Sequence, residues 1–264
     1  MEHYPLGKHN TMAMSCYHVP MTFILKNNCY LSLIIVLATS FAMADDTIEK
    51  VSPNTQGQKL EDSLKRLNSI IPDIPSRHHH TRAGVLFRLG QFQEAIQDYD
   101  YGIRFGSPHN TNSCWERGLA QYYAGDFQGG KEQFSRYHRV GALDIENGLW
   151  RMLCIAEDKG MEIARQTMLE YPNKRRKPFP ALLALYLNKG NTEAVFTEAT
   201  LGITLEQELR VNLFNAHYYV GKYYEITEQK GLALTHIREA LKHKTSHIMY
   251  ACAEIDVKRL ETPK

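Results

Sequence analysis

Ala83 to Gly102 read A-G-V-L-F-R-L-G-Q-F-Q-E-A-I-Q-D-Y-D-Y-G, and this stretch decides the fold. Ala83 is small where two helices can cross, Leu86 packs, Gly90 ends a first helix, Ala95 is small at a second crossing, and Tyr99 fills the groove between neighbours. Thirty-five residues later, E-R-G-L-A-Q-Y-Y-A-G-D-F-Q-G-G-K-E-Q-F puts Gly118, Gly125, Gly130 and Phe134 in the corresponding places. A further 35 residues bring Leu153, Ala156, Gly160 and Leu169, with the small second-helix residue displaced to Ala164. Leu183, Tyr186, Gly190 and Ala194 follow at a spacing of about 30, after the segment K-R-R-K-P-F-P. Gly221, Tyr224, Ala233, Ile237 and Ala240 restore the pattern. A recurring period in this range marks a stack of helix pairs, each too small to bury its apolar face alone.

Residues outside the period supply the ends. Leu60, Leu64, Leu67 and Ile71 fall on one face of a helix, placed at 59–76, that caps the first pair; Ile248 to Leu260 has the same character, and 245–264 is expected to cover the last. The array occupies 77–244, with Thr204 and Gln207 as a capping box opening a long helix. Residues 45–58 are polar, carry Pro53, Asn54 and Gly57, and read as a flexible leader. The expected fold class is all-α, a right-handed α-solenoid of about five tetratricopeptide-like helix–turn–helix pairs with capping helices.

Residues 1–44 read as an address. Leu31 to Ala42 is almost purely apolar, follows Lys26, and ends in Ala42-Met43-Ala44, which suits signal peptidase. The run is short for a bilayer span. Met21 opens a well-proportioned signal, so it is the expected start, with residues 1–20 an extension. Cys29 precedes the apolar core, on the wrong side for a lipobox, so lipidation is not expected. The exported chain, Asp45 to Lys264, keeps 29 of the 31 Lys and Arg and 28 of the 29 Asp and Glu. That balance provides no bulk field for nucleic acid. Its three cysteines, Cys114, Cys154 and Cys252, match neither a disulfide framework nor a zinc spacing and read as small buried hydrophobes.

The period and its grammar resemble the tetratricopeptide repeat family. Y-Y-V-G-K-Y-Y-E at 218–225, E-R-G-L-A-Q-Y-Y-A-G at 116–125 and Trp150 opening the third unit look like segments of the NlpI-type exported tetratricopeptide proteins of bacterial envelopes, over roughly 77–260. The resemblance implies a periplasmic or envelope adaptor that presents substrates to a protease or organises cell-wall enzymes.

No G-x-S-x-G, H-E-x-x-H, G-x-x-x-x-G-K-[ST] or G-x-G-x-x-G occurs, so no catalytic role, cofactor or metal is expected. His78-His79-His80 point in different directions on a helix and do not converge on one ion; His243 and His247, four apart, offer half a site at most. Lys174-Arg175-Arg176-Lys177 reads as a solvated loop, with an acidic partner or polyanion as the functional alternative.

Superposing the units on Gly118, Leu153 and Gly221 puts Asn112, Asn147 and Asn215 six residues earlier, and Trp115, Trp150 and Tyr218 three earlier. The resemblance implies that first-helix residues at these positions face a concave groove. Asparagine can pair with a peptide amide and an aromatic supplies apolar contact, so these six residues with Tyr122 form the candidate groove for an extended protein or peptide segment. The competing reading makes each Asn a helix cap and each aromatic a packing residue between units. Two other roles stand beside the adaptor: a self-associating envelope subunit, and a groove hydrolase using Glu157, Asp158 or Glu225.

Overall fold

The computed structural model describes residues 53–71, 76–105, 111–141, 144–171 and 176–262. The signal segment, Met21, the cleavage point after Ala44, residues 45–52 and Lys174-Arg175 lie outside them. Among the described residues all regular structure is helical: α1 (Pro53–Ile70), α2 (Ser76–Arg88), α3 (Phe92–Arg104), α4 (Trp115–Tyr123), α5 (Phe127–His138), α6 (Ile145–Lys159), α7 (Met161–Gln166), α8 (Phe179–Tyr186), α9 (Thr192–Thr200), α10 (Glu206–Ile226), α11 (Lys230–Leu241) and α12 (Ile248–Glu261). None of these helices is long and apolar enough to cross a membrane.

Helices α2 to α11 form five consecutive pairs, and each helix packs on its partner in the pair. The turns inside the pairs share one construction. In four of them the chain closes with the same two backbone bonds: Gly90 N–H to Phe87 O and Gln91 N–H to Leu86 O, then the equivalents at Gly125/Asp126, Asn188/Lys189 and Glu228/Gln229. This double bond satisfies the last carbonyls of the first helix and requires a left-handed residue at its centre. Gly90 (φ 79°), Gly125 (φ 78°), Asn188 (φ 59°) and Glu228 (φ 63°) fill that place, and Gly160 (φ 85°) ends α6. In the fourth pair the left-handed residue is therefore Asn188, two positions before the glycine expected to mark that turn.

Close approach explains the small residues at the crossings. A Cβ built on Gly118 would lie 2.9 Å from the Phe134 ring of α5, and one on Gly221 would lie 2.5 Å from Ile237 Cγ1 and 3.2 Å from the Ala233 carbonyl of α11. Gly118→Leu should therefore destabilise the protein by about 1 to 3 kcal/mol through overpacking. A denaturant melt reads this; an unchanged midpoint would mean that α4 and α5 do not meet at Gly118.

Three boundaries differ from the sequence expectation. Helix α1 begins at Pro53, so 53–58 is helix rather than flexible leader; Pro suits a first helical position, where its missing N–H has no partner to lose. The Thr204–Gln207 box does not form, since α10 starts at Glu206 after Leu205 and no side chain caps it. Helix α12 matches its expected span, but it contacts α2 as well as α11. It thus touches the first pair of helices in addition to covering the last.

That placement builds the polar centre of the core. Asp256 on α12 is fully buried and accepts hydrogen bonds from Tyr123 (2.9 Å) on α4 and Tyr218 (3.1 Å) on α10. Lys222, also fully buried, lies 3.3 Å from Asp256 and 2.7 Å from Glu225, and its ammonium sits 4.9 Å from the centre of the Tyr122 ring. Burial alone would depress the lysine pKa, but the Asp256 and Glu225 charges outweigh it and hold the value raised. Arg259 closes the network onto both carboxylates.

Candidate functional site

One cavity of about 200 Å³ gathers residues from two of the helix pairs, from Arg176 ahead of α8, and from the start of α12. Its aromatic walls are Trp115 at the start of α4, Phe134 and Tyr137 from α5, and Trp150 from α6. His247, the residue before α12, stacks on Trp115 with ring centres 5.9 Å apart and planes 4° from parallel. The polar side is formed by Asp144, Glu146, Asn147 and Arg176.

Local sequence explains how each polar group is held. Asp144 is the N-cap of α6, its Oδ1 accepting the Glu146 N–H at 3.0 Å and the Asn147 N–H at 3.4 Å. That fixes the first turn and turns Glu146 and Asn147 inward, where both are buried. Glu146 accepts from Tyr219 OH and from Arg176 Nη2, each at 2.6 Å. The Arg176 guanidinium also lies 4.2 Å over the Phe179 ring, so the one Lys or Arg that lines the cavity among the described residues is already engaged. Asn147 donates from Nδ2 to the Phe134 carbonyl at 2.9 Å, while its Oδ1 is buried with no hydrogen-bond partner. The Asp144 carboxyl is held above its usual range by burial and then by the Glu146 charge. Among the described lining residues, two carboxylates, Asp144 and Glu146, face one guanidinium, that of Arg176, which lies 3.8 Å from Asp144 as well.

The seven expected groove residues separate here. Trp115, Asn147 and Trp150 line this cavity together. Trp115 is half-buried, but Trp150 is only 1% exposed and donates from Nε1 to Tyr219 OH at 2.9 Å. Tyr218 is fully buried by its bonds to Asp256, and Tyr122 is buried beneath Lys222 with its hydroxyl on Glu157. A continuous exposed aromatic face is therefore not present: α6 packs against α4 and α10, and α12 bonds to both α4 and α10. Asn112 lies exposed in the turn before α4, outside the cavity. Asn215 is buried and lines a different depression with Arg176, Lys177 and Asn212.

The asparagine register also shifts. Asn212, not Asn215, repeats the Asn147 arrangement: each donates its side-chain amide to a carbonyl thirteen residues earlier, in the C-terminal half of the preceding helix. Sequence reasoning missed Asp144 and Glu146, and read Arg176 as part of a solvated basic loop and His247 as half of a metal site. The signal for the first was available, as an Asp three residues ahead of Asn147 is an N-cap pattern.

The other candidates fall elsewhere. His243 stacks near His217, whereas His247 is on Trp115, so this pair does not form half a metal site. His217 and His236 face each other with Nδ1 atoms 3.2 Å apart, and His217 is lowered to about 4 by burial and by His236 and His243, so it is neutral at pH 7. Glu225 is partly buried yet held below the glutamate range by Lys222 and Arg259, an unfavourable state for a general acid. The cysteines Cys114, Cys154 and Cys252 are free and buried. Neither a protein-family model nor a curated protein sequence matches the chain.

Proposed function

We propose that this protein is an exported, non-enzymatic adaptor of tetratricopeptide type, a right-handed α-solenoid that holds a segment of a partner protein in the bacterial envelope. The observation that carries the reading is the convergence of Trp115, Asn147 and Trp150, taken from successive units, on one cavity. At about 200 Å³ the cavity suits a single long side chain; small-molecule pockets run at about 300–1,000 Å³. Aromatic faces, two carboxylates and a buried asparagine oxygen without a partner together select a lysine or arginine side chain. Trp115, the half-buried wall, is the anchor, and Trp150 is the floor beneath it.

Alanine at Trp115 should weaken partner binding by about 2 kcal/mol while the thermal melt changes little. The test is calorimetry with the partner co-purified from the native envelope. Unchanged affinity, or a loss that tracks unfolding, would overturn the anchor role.

A further inference from the structure

We propose that His80, Cys114 and Glu116 form a zinc site joining the first helix pair to the second. His80 is on α2, Cys114 is the N-cap residue of α4, and Glu116 is in the first turn of α4. Each offers one ligand atom, an imidazole nitrogen, Sγ and a carboxylate oxygen, and the three atoms lie within 4.8 Å of one another. The mixed N, S and O donor set suits zinc, which takes all three at about 2.0–2.3 Å and tolerates three protein ligands with a fourth position left to water. Calcium and magnesium favour six or more oxygens and do not fit a thiolate.

The surroundings are arranged for this. His79 is committed to Asp98 at 2.8 Å, so of these two neighbours only His80 turns toward Cys114. The Tyr99 ring, 5.0 Å away and edge-on, holds the His80 imidazole in place. Cys114 has no exposed surface, while His80 and Glu116 are half-buried and give an ion its way in. Thiolate and carboxylate would together neutralise the divalent charge. Zinc takes the cysteine as a thiolate. Binding therefore releases the Cys114 proton, and affinity falls as the pH is lowered. An ion here ties α2 to α4 and stiffens the junction between their pairs.

The test uses the full chain without an affinity tag, reduced and free of metal, titrated with zinc against a competing chelator and separately with cobalt as a spectroscopic probe. One equivalent of zinc should bind and raise the melting temperature, and cobalt should give a thiolate-to-metal charge-transfer band. Cys114→Ser should abolish that band. His80→Gln and Glu116→Gln should each weaken zinc at least tenfold with the helical circular dichroism unchanged, and they decide the question if the buried Cys114→Ser does not fold. Zinc affinity kept by both of these variants, cobalt bound without the sulfur band, or no stoichiometric binding would each overturn the site.

Discussion

Asp256→Ala is expected to lower stability by about 3 to 5 kcal/mol, the cost of removing one partner from a buried ion pair. The substitution strips Tyr123, Tyr218 and Arg259 of an acceptor and leaves the buried Lys222 ammonium with Glu225 alone. It also removes one of the contacts that fasten α12 to α4 and α10. Urea melts followed by circular dichroism measure the loss. A cost under about 1 kcal/mol, the scale of an exposed pair, would mean that α12 does not occupy this place in solution.

Trp150→Ala should cost a similar amount, about 3 to 5 kcal/mol, because it empties the volume of the largest fully buried side chain and deprives the Tyr219 hydroxyl oxygen of its donor. Phe134, Tyr122, Tyr218 and Tyr219 all meet its ring, and they belong to three other helices. The contrast with Trp115 is the informative part. Folded Trp150→Ala protein should bind more weakly mainly because its cavity has lost a floor, while Trp115→Ala should keep its melt and lose affinity. Equal melts for the two variants would contradict the burial that separates them.

The helix pairs were legible because packing repeats. Gly118 and Gly221 must be small because a helix passes close to each, and Gly90, Gly125 and Gly160 stand at chain turns that need a left-handed residue. The exposure of the aromatics was not legible, because it depends on α12 reaching α2, α4 and α10 from more than a hundred residues away in the case of α2 and α4. Nothing local in Tyr218 or Trp150 announces that contact. The same limit hid the cavity's charge. Asp144 and Glu146 are read easily as a helix start, but Arg176 comes from thirty residues further on and His247 from a hundred. The cluster of His80, Cys114 and Glu116 was missed for a related reason: its spacing follows no zinc motif, and only the folded chain brings the three atoms together.

The most direct measurement exploits the tryptophan content. The chain has two tryptophans, and both line the cavity, so tryptophan emission, excited at the red edge to leave out the 15 tyrosines, reports on that place. Short extended peptides differing at one central residue, with lysine, arginine, leucine or glutamate, are titrated into the full chain. The lysine and arginine peptides should shift the emission with at least tenfold higher affinity than the leucine peptide, and Trp115→Ala should remove that preference. The glutamate peptide should be the weakest. Equal binding of all four peptides, or a preference for glutamate, would contradict the account.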